Sequence, residues 1–303
     1  MLFSLTYFMF IKTEKLMRVL FCTDGSVISF NALENFLSTA QKDTLIDVIS
    51  VIDWSFLPDN VIVEDSCFTS TCRNLADDTL EKSKIIIEER GFKSGNLIKH
   101  CGNPVECILE QLQTVVYDIV IVGSRDKKGL QRWLGSVSKS VLDEGETNTY
   151  ISTRRQCCKR VLFLADGSEA SVDSVKNSVK LLNIRDCEIY ICSVSESPDL
   201  LFLDGTLDSN WVNTIRLQQN SSSQASIDKL KKVFEEYNIP VFETEVLSGI
   251  PAKSILEFVK KKEINLIVTG VKPRSKMQKF LLDSVSKRVL ENTEADMFVN
   301  FML

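Results

Sequence analysis

The sequence predicts an α/β protein built from two tandem Rossmann-like domains, each a parallel five-stranded sheet with helices on both faces. Three observations predict this: short apolar runs ended by Gly or Asp-Gly, longer stretches with helical spacing between them, and repetition of that whole order in the second half of the chain. Strands separated by helices need crossover connections, which favour a parallel sheet buried on both faces.

In the first copy Val19 to Cys22 is a short strand stopped by Asp24-Gly25, and Ser29 to Leu37 carries apolar residues at helical spacing. Leu45 to Ile52 reads as a buried second strand, and Leu75 to Arg90 as a charged helix with one apolar face. Leu97 to His100 leads into a Gly-Asn-Pro turn, Val105 to Val115 is a helix, and Asp118 to Val122 is a fourth strand. A last helix begins at Ser136, and Thr149 to Thr153 is the final strand. Segments 54–74 and 198–226, rich in Asp, Ser, Asn and Thr, read as long irregular connections. Within the second of them, Asn220-Ser-Ser-Ser223 is expected to start a capped helix or to be a flexible loop.

The second copy repeats these marks. Arg18-Val-Leu-Phe-Cys-Thr-Asp-Gly-Ser26 returns as Arg160-Val-Leu-Phe-Leu-Ala-Asp-Gly-Ser168, and Gly102-Asn-Pro returns as Gly249-Ile-Pro. Asp118 to Ser124 matches Asn265 to Val271, and Ser136-Val-Ser-Lys matches Ser284-Val-Ser-Lys. A repeat this long is a complete domain rather than a solenoid unit. The expected division is an extension over 1–16, a first domain over 17–155 and a second over 156–303. The exposed edge strands near the C-terminal strand of each copy are the natural surfaces for pairing the halves, or for a homodimer.

Composition excludes several classes. With 36 Lys and Arg against 41 Asp and Glu, the net charge of -5 gives no broad positive field for nucleic acid. One histidine, His100, expected to be structural, leaves no imidazole-rich zinc site and no Ser-His-Asp triad. Nine scattered cysteines without CxxC spacing read as reduced thiols in a cytoplasmic protein, with the Cys157-Cys158 pair as the one redox alternative. The apolar stretch Leu2 to Ile11 is shorter than a membrane span, so no membrane partner is expected, a peripheral anchor being the alternative reading.

In open parallel sheets, ligands sit where strand ends meet helix N-termini. Here those places are Asp24-Gly25-Ser26, the loop Gly123 to Gly129, and Gly135-Ser136, a plausible phosphate cradle or simply tight turns. Neither a Walker A sequence nor GxGxxG occurs.

The combination of a strand ending in Asp-Gly-Ser, a Gly-x-Pro turn, and a Gly-Ser-Arg loop followed by Gly-Ser-Val-Ser resembles the universal stress protein family, over almost all of both halves. The resemblance implies an adenine-nucleotide site, for ATP or a relative with Mg2+, in members carrying Gly, two residues, Gly, nine residues, Gly-Ser or Gly-Thr. It would place Asp24 and Val51 beside the adenosine, Gly102 beside the nucleotide, and Gly123, Gly135 and Ser136 at the phosphates. Arg125 would help to offset the charge of Asp126, which stands where the second glycine belongs. In the second copy Asp166 and Val194 keep the adenosine-side positions, but Pro273 and Asp283 replace glycines and oppose phosphate binding. The expected function is a stress-response nucleotide-binding regulatory protein using its first half. A nucleotide-free scaffold for a protein partner is the alternative, and an enzyme is the third reading.

Overall fold

The computed structural model describes residues 16–53, 68–124, 135–152, 154, 156, 158–195, 209–271 and 284–301. The first half contains β1 (Met17–Thr23), α1 (Val27–Thr39), β2 (Thr44–Asp53), α2 (Phe68–Glu89), β3 (Lys93–Gly102), α3 (Pro104–Thr114), β4 (Ile119–Gly123), α4 (Ser136–Glu144) and β5 (Thr149–Ser152). The second half contains β6 (Arg160–Leu164), α5 (Glu169–Leu181), β7 (Glu188–Ser195), α6 (Ser209–Glu236), β8 (Val241–Ser248), α7 (Pro251–Lys261), β9 (Leu266–Val271), α8 (Ser284–Asn292) and β10 (Asp296–Phe301).

Alternation along the central strands explains the layering. Val19 and Phe21 enter a core shared with α1 and α2, whereas Leu20 and Cys22 enter a second core under α3 and α4. Because both faces are covered, the strands read as unbroken apolar runs and pair in parallel. The two five-stranded sheets fuse into one, in the order β3-β2-β1-β4-β5-β10-β9-β6-β7-β8. The fusion is antiparallel, through the C-terminal strand of each half, with Tyr150 opposite Phe298.

Several buried polar groups at this joint pair across it or beside it. Tyr150 donates its hydroxyl to Asp296 Oδ2 at 2.8 Å, and Asn35 Nδ2 donates to the same oxygen at 3.1 Å. Asn148 Oδ1 accepts from the Phe301 amide at 3.0 Å, and the Asn183 amide donates to the Thr39 carbonyl at 2.6 Å. Edge-to-face packing of Phe36 on Tyr150, with ring centroids 5.4 Å apart, fills the space beside them.

A second buried polar cluster lies at the opposite end of the first half from the strand termini that face α4. Asp47, fully buried in β2, accepts from Arg18 Nη2 at 2.7 Å, Arg18 Nε at 3.0 Å, the Tyr117 hydroxyl at 2.9 Å and the Asn96 amide at 2.8 Å. A Cβ at Gly95 would collide with Asp47 Oδ1, so this position needs glycine. Burial, and then the hydrogen bond to Asp47, push the Tyr117 phenol up to about 12. A tyrosine raised above its unfolded value near 10 stabilises the fold fully below that pH and loses the contribution as pH climbs through the folded value. Denaturant midpoints are therefore expected to fall between about pH 10 and 12, and to fall less steeply in Tyr117→Phe.

The connections differ from the sequence expectation. Helix α2 already begins at Phe68 and α6 at Ser209, so much of the two segments expected to be irregular is helical. Asn220-Ser-Ser-Ser223 is neither a cap nor a loop but lies inside α6. Serine is a modest helix former, and tertiary packing overrides that preference here. Ser223 and Ser226 are buried, Ser226 Oγ donates to the Ser222 carbonyl at 3.0 Å, and a Cβ on Gly167 would stand 2.7 Å from that oxygen. Small side chains let α6 settle on the Asp166-Gly167-Ser168 turn. His100 is also corrected: its side chain is exposed on the edge strand β3, and only its backbone pairs, opposite Val51.

Candidate nucleotide site

The carboxyl ends of β1, β2 and β4 open into a cleft of about 380 Å³. Its walls include Asp24, Val51, Gly123, Gly135 and Ser136, so five of the seven sequence-predicted residues meet there although they come from four separate elements and loops. Gly102 ends β3 opposite Asp53 at φ 143° and is not among the wall residues, whereas Pro104, two residues on, is. Arg125 and Asp126 lie outside the described residues, as do Pro273 and Asp283 of the second half.

Local chemistry builds the first wall. Asp24 accepts from the Ser26 amide at 3.0 Å, Gly25 turns the chain at φ 77°, and Ser26 caps α1 by accepting from the Ser29 amide at 3.2 Å. Gly25 must also be small, because a Cβ there would sit 2.8 Å from Thr79 Oγ1 on α2. Partial desolvation in the cleft favours a neutral Asp24. Hydrogen bonds from Ser26 and Ser29 more than reverse this and hold its carboxyl below the usual range. Asp24 is thus an anion at neutral pH.

The facing wall is made by β4 and α4. A Cβ at Gly123 would press within 3.2 Å of the Ser29 backbone, so glycine lets the end of β4 approach α1. Ser138 Oγ donates to the Gly123 carbonyl at 2.7 Å and ties the first turn of α4 to that strand. Gly135 is the N-cap of α4 and supplies no side-chain acceptor. The first amides of α4 therefore lack an internal cap, unlike those of α1, and their partial positive charge faces the cleft wall formed by Gly135, Ser136 and Val137. Ser26 of the Asp24-Gly25-Ser26 turn lines the cleft too, as do Asp53 and Thr23, which were not singled out from sequence. The signal for Asp53 was available, since it directly follows the apolar run of β2.

Comparison with known proteins places this geometry. The pattern of the universal stress protein family matches residues 15–151 and again 158–299. The chain belongs to that family. A curated universal stress protein of Methanocaldococcus jannaschii is 31% identical over 153 residues, spanning 50% of this chain and 87% of that protein. One from Bacillus subtilis is 25% identical over 134 residues, spanning 43% of this chain and 90% of its own length. Among solved structures, a universal stress protein from Archaeoglobus fulgidus superposes with a TM-score of 0.64 at 23% identity, covering 93% of this chain and 97% of that one, a likeness of fold.

The second universal stress protein domain repeats the Asp-Gly-Ser wall. The Ser168 amide donates to Asp166 Oδ1 at 2.9 Å, Gly167 turns at φ 76°, and Ser168 caps α5 through the Ser171 amide at 3.2 Å. Here Lys229 of α6 adds a bond to the Gly167 carbonyl at 3.3 Å. Val194 stays half-buried at the carboxyl end of β7. Among the described residues no helix is long and apolar enough to cross a membrane, and no group of three or more His, Cys, Asp or Glu could hold a metal.

Proposed function

We propose that this universal stress protein binds an adenine nucleotide in its first half and acts as a nucleotide-responsive regulatory protein rather than as a catalyst. The observation that carries the reading is the uncapped N-terminus of α4, with Gly135 and Ser136 in the cleft wall opposite Asp24 and Val51. A helix start without its own side-chain cap offers amide donors to a phosphate. Asp24, already ionised, suits the hydroxyls of a ribose, and Val51, towards the carboxyl end of β2, lines the cleft beside it. The second half, with its Pro273 and Asp283 substitutions, serves as the fixed structural partner.

Magnesium, if required, would arrive with the nucleotide, since Asp24 and Asp53 are the carboxylates on the cleft wall and no third metal ligand joins them among the described residues. Two of the cleft hydroxyls being engaged with backbone supports a binding rather than a catalytic role: Ser29 Oγ donates to the Ser26 carbonyl at 2.8 Å and Ser138 Oγ to that of Gly123 at 2.7 Å. The chain's single histidine lies out on β3, not in the cleft wall. The same two carboxylates favour the second reading, a nucleotide-free scaffold, because among the described wall residues no lysine or arginine balances them.

Titration with ATP and magnesium tests the choice. A carboxylate about 5 Å from a phosphate costs about 3 kcal/mol per unit charge at an effective dielectric near 20, so Gly135→Asp should weaken binding by about a hundredfold or more. Equal affinity in parent and variant would remove the site from this cleft. Saturable binding without phosphate release supports a regulatory role, and steady release would support an enzyme.

A further inference from the structure

The linker between the halves carries Cys158 to the start of β6, and Cys187 stands at the start of the neighbouring β7. Arg160 pairs with Glu188, and the Glu188 amide donates to the Lys159 carbonyl at 2.8 Å, so the two cysteines flank one strand pair. Neighbouring strands about 4.8 Å apart and a one-residue offset of about 3.3 Å give a Cα separation of roughly 6 Å. Disulfides need roughly 4.4 to 6.8 Å. Both side chains pack against the same core, the one shared with α1, α2, α5 and α6, and so lie on one face. Cys187 Sγ reaches back to within 3.8 Å of the Cys158 carbonyl oxygen. Both residues are half-buried rather than sealed, unlike Cys22 and Cys192, which are buried in the sheet.

We propose that Cys158 and Cys187 form a peroxide-sensitive dithiol site that closes to a disulfide and ties the inter-domain linker to the second half. In the first step the Cys187 thiolate attacks hydrogen peroxide: an S–O bond forms, the O–O bond breaks, and the leaving hydroxide takes a proton to become water. The Cys158 thiolate then attacks the sulfenic sulfur, forming the S–S bond and releasing a second water. Two thiols lose two electrons and two protons, and the peroxide is reduced to two waters. Cys187 suits the first role, because hydrogen bonding with the Cys158 side chain outweighs burial and holds its thiol below the usual value. The location gives the bond a consequence. The amide of Gln156, two residues before Cys158, donates to Asn35 Oδ1 at 3.0 Å, and Asn35 is a member of the buried joint between the halves. This inference is independent of the nucleotide reading.

The test uses the full reduced chain, treated with a small molar excess of hydrogen peroxide, thiol-blocked, digested without reduction and mapped by mass spectrometry. The expected product is a peptide pair joined through Cys158 and Cys187, lighter by two hydrogens. It should persist in Cys157→Ser and disappear in Cys187→Ser and Cys158→Ser. A linkage through Cys157, or oxidation to sulfinic acid with no Cys158–Cys187 pair, would overturn the proposal. The map of the parent protein decides the matter even where a variant folds poorly, and Cys187→Ala supplies a second apolar substitute.

Discussion

Asp47→Ala is expected to cost about 2–3 kcal/mol of stability, because the buried Tyr117 hydroxyl loses its acceptor while the Arg18 side chain, 32% exposed, keeps partial access to water. The carboxylate satisfies two nitrogens of Arg18, the Tyr117 hydroxyl and the Asn96 amide, and no other acceptor stands in for it in that set of bonds. Its loss removes the shared acceptor of donors on β1, on β3 and just before β4, of which Tyr117 is buried. Asp47→Asn should be milder, because an amide oxygen can still accept from Tyr117 or Asn96, but it cannot balance the guanidinium. Guanidinium unfolding followed by circular dichroism measures both. An alanine variant within about 1 kcal/mol of the parent would mean that the cluster is replaceable by water.

The second large effect is expected at the joint. Asp296→Ala leaves the Tyr150 hydroxyl without its carboxylate acceptor in a site closed to solvent, at about 1–3 kcal/mol, whereas the Asn35 amide keeps Ser152 Oγ at 2.9 Å and the Arg154 carbonyl at 2.7 Å. Asp296→Asn should recover much of the loss. The first half already carries Asn148 immediately before β5, where its Oδ1 accepts from the Phe301 amide across the joint. The expected signature is a loss of cooperativity between the halves as well as a lower midpoint, seen as broadening of the calorimetric transition. A single sharp transition at the parent temperature would show that the β5–β10 pairing and the Phe36, Tyr150 and Phe298 packing suffice without this carboxylate.

The molecule also shows which features sequence can reveal and which it cannot. The order of elements along the chain, the repeat and most of the cleft are legible because they depend on local marks: an apolar run, the Asp-Gly-Ser turn after it, and a glycine at a helix start. Asp24, Gly123, Gly135 and Ser136 all lie at such marks. The course of α6 is hidden because its serine-rich middle, as far as Ser226, settles on the Gly167 turn, a tertiary effect that propensity does not register. Asp47 is hidden for a related reason. Inside an apolar strand an aspartate gives no sign of its partners, and Arg18, Asn96 and Tyr117 are remote from it along the chain. His100 errs in the opposite direction, since an edge strand leaves alternate side chains in water.

The central claim, an adenine nucleotide held in the first-half cleft, is tested most directly by denaturing freshly purified protein and measuring any released adenine nucleotide by chromatography, followed by titration of emptied protein with ATP and magnesium. The account predicts saturation at one nucleotide per chain in the parent and none in Gly135→Asp, Ser136→Ala. Protein that carries no nucleotide and shows no saturable binding would contradict it and leave the scaffold reading in its place.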